Sequence, residues 1–300
     1  MMAAWAEEAW DRLRALRQVT GGWGYGGETA LAVEPTALAG LALRGAHPQL
    51  AEDAGLCLLR HQSRGGLVAA VAARPEAGWA TAYACLLWAA LDSSRPAREA
   101  ATQWLLASEG ATMPTANDGT VSQDNRLVGW PWIGGTASWV EPTALALLAL
   151  GVERKLDHPR ASAGLAVIRD RAIPGGGWNM GNPVVFGTPL RPLPAPTGLA
   201  LLALARAGAA TEPTIGPAID YLHQALPGTR AATSLGWGLL GLRAWGAVPE
   251  GAARWLAESC AETIEKPRGA VGLALLLLAA DDAGIGLLGV IARERGGRHE

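Results

Sequence analysis

Two kinds of helical segment alternate along the chain. Six segments are rich in Ala and Leu and apolar on almost every side, and they begin near residues 35, 80, 142, 196, 232 and 267. Six amphipathic segments with charges on one side alternate with them, at about 3–17, 49–61, 96–108, 159–171, 216–226 and 250–264. A helix that is apolar all round is buried all round. The pattern therefore predicts six hairpins, each with an outer and an inner helix, and it shows no alternation typical of strands.

A repeated motif marks the start of three apolar segments. It shares the letters Pro-Thr followed by an Ala/Leu run, and its copies are Ala32–Leu43, Trp139–Leu150 and Ala195–Leu204. A glycine–tryptophan loop precedes each copy, at Gly21–Tyr25, Gly129–Trp132 and Gly175–Asn179. Proline is tolerated in a first helical turn, where its missing N–H is not needed. The repeat indicates one supersecondary unit used several times.

Six hairpins of about fifty residues can close into a ring, an (α/α)6 toroid, or stack into an open superhelix. The inner segments are too apolar to line an open concave surface, so the closed all-α toroid is favoured. We expect one domain over residues 1–296, with a terminal helix within 284–295 and a polar tail at 297–300.

The glycine–tryptophan loops resemble the glutamine–tryptophan repeat of the terpenoid cyclase and protein prenyltransferase superfamily. The best copy is Gln18–Trp23, and degenerate copies occur at Gln62–Leu67 and Ile173–Trp178. The resemblance covers nearly the whole chain and is closest to one domain of the squalene–hopene cyclases. It implies an α/α-toroid that acts on an isoprenoid substrate in a central cavity, by acid-initiated cyclisation or isomerisation.

The hairpin order places every outer-to-inner connection at one end of the ring. These connections are the long ones, including 18–34, 62–79, 109–141 and 174–195, whereas the links at the other end are short. Long loops in a compact domain are usually functional. We therefore expect any active site at the end where the inner helices begin.

Glu34 and Glu141 are the first candidate acids. In squalene–hopene cyclases a D-x-D-D-T-A motif opens an inner helix, and alignment on Thr-Ala places both glutamates where its middle Asp stands. The flanking acids of that motif are absent here, with Pro35 and Pro142 in the last position. A carboxyl group in an apolar cavity has a raised pKa and can act as a general acid. The alternative is that both glutamates stabilise the positive end of a helix.

Asp124 is the third candidate acid, because it lies in the longest loop and outside the repeat; an Asx hydrogen bond within the loop is the alternative. Asn182 is a candidate for binding a polar substrate group, although a turn explains it equally well. The candidate aromatic residues of the site are Tyr25, Trp130, Trp132, Trp139 and Trp178. Aromatic faces stabilise cations. The alternative, favoured for Trp178, is packing between hairpins, as the resemblance implies for repeat tryptophans.

Composition and charge exclude further classes of protein. With 25 basic and 27 acidic residues and a net charge of −2, the chain lacks the basic surface of a nucleic-acid-binding protein. No apolar run reaches the length of about 20 residues that a transmembrane helix needs. The three cysteines form no zinc motif, and with no signal peptide evident they suggest the cytoplasm. We expect no metal or cofactor. Besides an enzyme, the sequence fits a non-catalytic toroid that binds a lipid-like ligand, a partner protein or a second copy of itself.

Overall fold

The computed structural model describes residues 4–26, 30–114, 120–281 and 287–292. The predicted all-α class is confirmed, since these residues fold mainly into α-helices, numbered here in chain order. The inner helices are α2 (Val33–Leu43), α4 (Thr81–Leu91), α6 (Val140–Val152), α8 (Pro194–Arg206), α10 (Ala232–Ala244) and α12 (Ala270–Ala280). The outer helices are α1 (Ala4–Ala15), α3 (Pro48–Leu59), α5 (Arg95–Ala107), α7 (Pro159–Asp170), α9 (Ile215–Ala225) and α11 (Ala252–Thr263).

Short elements complete the described chain. Two 3-10 turns lie at Gly78–Ala80 and Leu226–Gly228. The strands β1 (Val184–Val185) and β2 (Thr188–Pro189) form one small antiparallel hairpin within a loop. A last helix, α13 (Leu287–Ala292), packs against α4 and α6; the rest of the predicted terminal helix and the tail at 297–300 lie outside the described residues.

The inner helices form a closed ring. Each inner helix packs against the next one along the chain, and α12 packs against α2, which closes the circle. The outer helices pack around this ring, with α1 joining α11 and α12 across the closure. Of the two predicted architectures, the structure therefore has the closed toroid and not the open superhelix. The end of the ring where the inner helices begin, together with the loops that lead into them, is called the mouth below.

The interior of the ring is filled. From the second turn to the last, every inner helix is buried at every position, and accessible residues occur only near its two ends. Leu273, Ala274, Leu275 and Leu276, which together span a full turn of α12, have no surface accessible to water. A central void would border all six inner helices, and one wide enough for a water molecule would expose at least one of these residues. The predicted central cavity is therefore wrong at this level of the ring, and open space for a ligand remains only at its ends.

Glycines allow two inner helices to approach closely. A Cβ atom added to Gly198 on α8 would overlap the backbone carbonyl of Trp237 on α10, and one added to Gly241 would lie 2.6 Å from the Cα of Gly198. Because backbone atoms cannot move aside as a flexible side chain can, this contact requires glycine on both helices.

We predict that Gly198→Ala lowers the free energy of unfolding by about 1–3 kcal/mol, the usual cost of overpacking a core. The control is Gly216→Ala on α9, where an added Cβ meets nothing within 4 Å. That variant should lose no stability, since alanine favours a helix more than glycine does. Denaturant unfolding of both variants measures the difference, and equal curves would contradict the close approach of α8 and α10.

Candidate active site at the mouth

Three consecutive inner helices bring ionisable side chains together at the mouth. Glu34 is the second residue of α2, Tyr83 the third residue of α4, and Glu141 the second residue of α6. Since α4 packs against both α2 and α6, Tyr83 lies between the two glutamates. The charges of both glutamates raise the pKa of Tyr83, and the charge of Glu34 raises that of Glu141. The two glutamates singled out in the sequence therefore belong to one site, called the carboxyl pair below.

Two tyrosine hydroxyls hold Glu34. Tyr25 donates a hydrogen bond of 2.6 Å to Oε2 of Glu34, and Tyr83 donates one of 3.2 Å to Oε1. Burial raises the pKa of Glu34, while both hydrogen bonds act in the opposite direction and favour its charged form. Tyr25 comes from the loop before α2, so this loop and two helices meet at one carboxylate.

Glu141 is the less supported member of the carboxyl pair. No side chain or backbone group among the described residues donates a hydrogen bond to its carboxyl group. Burial, assisted by the charge of Glu34, raises the pKa of Glu141 to about 7. Glu141 is therefore protonated in a large fraction of the molecules at neutral pH and can serve as a general acid there.

No hydrogen bond among the described residues supports the alternative that Glu34 and Glu141 cap their helices. The N-cap residues are Ala32 for α2 and Trp139 for α6, and neither provides a side-chain cap. The oxygens of Glu34 accept from tyrosine hydroxyls alone among the described residues, and no backbone N–H donates to Glu141. The two glutamates can therefore stabilise the N-terminal ends of their helices only through negative charge.

Aromatic rings lie beside the carboxyl pair. The ring of Trp79 meets that of Trp132 edge to face, with centroids 4.8 Å apart and planes at 76°. Trp79 also contacts the ring of Tyr83, at 5.9 Å and 76°. Trp132 was proposed from the sequence, whereas Trp79 and Tyr83 were missed.

A signal for Trp79 was present in the sequence. Alignment of the inner helices on their shared threonine places Trp79, two residues before Thr81, at the position of Glu34 and Glu141. Three successive hairpins thus present Glu, Trp and Glu at the same place on the mouth.

Trp130 and Trp178 have a different role from Trp132. Each is almost fully buried, its backbone N–H donates to a threonine hydroxyl at the start of the next inner helix, and its indole N–H donates to the outer helix before it. The bonds are Trp130 to Thr143 and to the Leu105 carbonyl, at 3.0 and 2.9 Å, and Trp178 to Thr197 and to the Ile168 carbonyl, at 2.9 and 2.7 Å. Trp23 repeats this arrangement with Thr36 and Leu13. These tryptophans fasten the loops between hairpins, as the packing alternative predicts.

Trp139 and Asn182 belong to a neighbouring part of the mouth. Trp139 is half-buried, and a Cβ added to Gly181 would lie 3.3 Å from its ring. The Asn182 side chain accepts a hydrogen bond of 2.7 Å from Gln123, and its backbone bonds to Asn179. The Asn182 amide is thus engaged within the loops, as the turn alternative predicts.

Asp124 lies in a separate environment. Its carboxylate accepts hydrogen bonds from the backbone and the guanidinium of Arg126, all at 2.9 Å. Its backbone N–H donates to Asp170 and its carbonyl accepts from Arg171, so it is attached to the end of α7. The structure therefore does not bring Asp124 into the carboxyl pair, and its role as an acid stays a prediction.

Exposed apolar side chains gather at the mouth. Of the nine large hydrophobic side chains exposed among the described residues, eight lie on the mouth loops and only Leu56 lies elsewhere. The eight are Val19, Tyr25, Met113, Ile133, Met180, Phe186, Leu190 and Leu193. The concentration of exposed apolar side chains at this end makes it a candidate surface for contact with an apolar ligand or partner.

The described residues contain neither a metal-binding cluster nor a helix that could span a membrane. No three His, Cys, Asp or Glu side chains among them gather as a metal site requires, and none of their helices has the length and apolarity to cross a membrane. A groove of about 410 Å³ lies away from the carboxyl pair, between α9 and the loops around Gly175 and Pro192. Its only carboxylate is that of Asp220.

No protein-family model matches the chain, and no curated protein matches it. Solved structures do match. A protein from Actinoplanes is 15% identical and aligns over 96% of this chain and 99% of its own, with a TM-score of 0.61. The type II terpene cyclase MstE from Scytonema is 20% identical and aligns over 88% of this chain and 79% of its own, with a TM-score of 0.56. A variant of MstE in complex with geranylgeranyl dihydroxybenzoate, its substrate, is 19% identical with the same coverage and a TM-score of 0.53. The chain therefore has a terpenoid-cyclase-like fold.

We predict that Glu141 makes folding stability fall as the pH rises. Its pKa is about 7 in the folded chain against an ordinary value of 4.5, so the folded state binds more protons than the unfolded state between these values. Glu141→Gln removes this titration and should gain about 1–2 kcal/mol relative to the parent protein between pH 4.5 and 8. This is less than the full ~1.4 kcal/mol per pKa unit, because part of the side chain contacts water.

Urea unfolding at several pH values measures this difference. Glu52→Gln, at an exposed position on α3, is the matched control, and its curve should run parallel to that of the parent protein. If the Glu141→Gln curve also runs parallel, the carboxyl group of Glu141 does not retain its proton in the folded protein.

Proposed function

We propose that this protein binds an isoprenoid-like substrate at the mouth of its ring and transfers a proton to it, which starts a cyclisation or an isomerisation. The observation that carries this proposal is the carboxyl pair, with one member unbonded and its pKa near 7, placed beside aromatic rings at the open end of a filled ring.

The proton step follows from the state of the two carboxyl groups. Protonated Glu141 gives its proton to one carbon of a substrate double bond, so that a C–H bond forms, the π bond breaks and the neighbouring carbon becomes a cation. Loss of a different proton from this cation, with or without ring closure before it, gives a new alkene. The released proton returns to the pair, so the reaction has no net consumption of acid.

The aromatic residues suit the charge that develops. Trp79 and Trp132 lie almost at right angles to each other, and the electron-rich face of an indole attracts a cation by about 0.5–2 kcal/mol or more when water is excluded. The carboxyl group of Glu34, whose charged form the hydroxyls of Tyr25 and Tyr83 favour, adds negative charge on the same side of the mouth when it is ionised. Together they favour a carbocation over its neutral precursor.

The surroundings of the carboxyl pair support an apolar substrate. Eight exposed hydrophobic side chains belong to the mouth loops, and the filled interior leaves the substrate to lie across the mouth rather than within the ring. That the structural neighbour MstE binds geranylgeranyl dihydroxybenzoate supports prenylated compounds as the first substrates to test.

We predict that incubation with geranylgeranyl-containing compounds in D2O gives products with one deuterium bound to carbon, since the proton that starts the reaction exchanges with solvent. Glu141→Gln should abolish this product, because an amide cannot donate a proton of the required acidity. Gas chromatography with mass spectrometry measures both results.

Asp124→Asn is the control for the proton step and also tests the third candidate acid. It should keep its activity, because Asp124 is bonded to Arg126 and lies apart from the pair. Loss of product in Asp124→Asn but not in Glu141→Gln would reverse the assignment of the acid. Product without carbon-bound deuterium would exclude a proton-initiated reaction.

A non-catalytic toroid is the second candidate function. The filled interior favours it, because the described residues enclose no chamber that would shield a carbocation from water. The apolar mouth would then bind a lipid-like ligand or a partner protein, and the ring could also pair with a second copy.

We predict that native mass spectrometry detects an apolar ligand that co-purifies with the protein and is lost in Trp132→Ala. The matched control is Trp178→Phe, which removes a buried indole hydrogen bond and should lower the melting temperature while ligand remains bound to the folded protein. Retention of the ligand in Trp132→Ala would place its site away from the carboxyl pair. Ligand binding without turnover would favour the second candidate.

A further inference from the structure

We infer that Tyr83 is a positioning residue that gives the two carboxyl groups different roles. Its hydroxyl, together with that of Tyr25, holds Glu34 as the carboxylate and leaves Glu141 as the group that carries the proton. This inference deepens the proposed function, and its identification of Glu141 as the donor rests on that proposal. The two carboxyl groups differ in protonation even when no substrate is bound.

The asymmetry of hydrogen bonding is the first support. Both glutamates are the second residue of equivalent inner helices, so the helix ends act on them alike. Glu34 nevertheless accepts hydrogen bonds of 2.6 and 3.2 Å from two hydroxyls, whereas Glu141 accepts none from the described residues. A hydroxyl that donates to an ionised carboxylate stabilises the charged form. One carboxyl group is thereby favoured as the anion, and its charge adds to the effect of burial that favours the protonated form of the other.

Tyr83 is a more constant partner than Tyr25. Tyr83 is only 2% exposed, and its ring is fixed by the edge contact with Trp79. Loss of its hydrogen bond would leave a buried hydroxyl unsatisfied, at a cost of about 1–3 kcal/mol. Tyr25 is 39% exposed and can exchange Glu34 for water. Burial therefore shields the bond from Tyr83 against exchange with water better than the bond from Tyr25.

Few other charged groups act on the carboxyl pair. Among the described residues, only Tyr25 and Tyr83 offset the effect of burial on the pKa of Glu34, and only Glu34 adds to the effect of burial on the pKa of Glu141. The other helices packed against α2 are α3 and α12, and those packed against α6 are α5, α7, α8 and α13. The described residues of these six helices supply no cation that changes either pKa. The tyrosine hydroxyls are thus the groups that favour the charged form of Glu34 and that Glu141 lacks.

The test is a titration of the glutamate side chains by NMR, with 13C at the carboxyl carbon and assignment by Glu34→Gln and Glu141→Gln. In Tyr83→Phe we expect the pKa of Glu34 to rise by about one unit. The pKa of Glu141 should fall in the same variant, because a protonated Glu34 no longer repels its anion. Opposite shifts in two neighbouring groups are not expected from a general loosening of the fold.

Two further variants complete the design. Tyr221→Phe is the matched control, because the Tyr221 hydroxyl donates to the carbonyl of Pro192, away from the carboxyl pair, and neither glutamate should shift. In the Glu34→Gln background, Tyr83→Phe should leave the titration of Glu141 unchanged, since Tyr83 acts through Glu34. A shift that persists in that background, or no shift in Tyr83→Phe alone, would overturn the inference.

The titration separates this inference from the proposed function. If the opposite shifts occur but no deuterium enters any product, the roles of the two groups stand and the reaction is wrong. If turnover occurs, its rate should decline at lower pH in Tyr83→Phe than in the parent protein, because the donor loses its proton earlier. Turnover with an unchanged pH profile in Tyr83→Phe would overturn the inference and leave the proposed function intact.

Discussion

Helices that are apolar on every side must bury one another completely, and the rest of this structure depends on that constraint. An open arc would leave one face of each inner helix in water. The contact of α12 with α2 closes the ring and buries the apolar faces of these two helices. The same constraint fills the ring, because Leu and Ala side chains that point inward meet other side chains rather than a void. Polar chemistry is thereby confined to the ends of the inner helices, where side chains still contact solvent.

Periodicity was sufficient to predict the helices and their order. The inner helices begin within three residues of their predicted starts, for example Val33 against 35 and Ala270 against 267. The order of the hairpins then placed all the long loops at one end. Periodicity could not show what fills the interior, because a helix around a cavity and a helix in a solid core have the same apolar pattern. The expected central cavity came from the family resemblance, and the burial of α12 contradicts it for the middle of the ring.

The candidate site was predicted in part. Glu34 and Glu141 were found because the repeat places them at equivalent positions, but a repeat does not tell which copies meet in space. Tyr83 has no counterpart in the motif, since it aligns with Leu38 and Leu145. Its contact with Glu34 depends on the packing of α4 against α2. Trp130 and Trp178 were placed in the site by residue type alone, whereas their indole N–H groups are bonded to outer helices.

The repeat itself separates what the fold needs from what the site needs. A threonine lies in the first turn of four inner helices, and in each case its hydroxyl accepts from a backbone N–H of the preceding loop and donates to a carbonyl there; the four are Thr36, Thr81, Thr143 and Thr197.

The residues two positions before these threonines are Glu34, Trp79, Glu141 and Ala195. Since two of the four hairpins have an indole or a methyl group there, the threonine contact does not require a carboxyl group at that position. Two carboxyl groups buried close together, without a cation, reduce stability. Residues that the fold does not require and that lower its stability are those expected of a functional site.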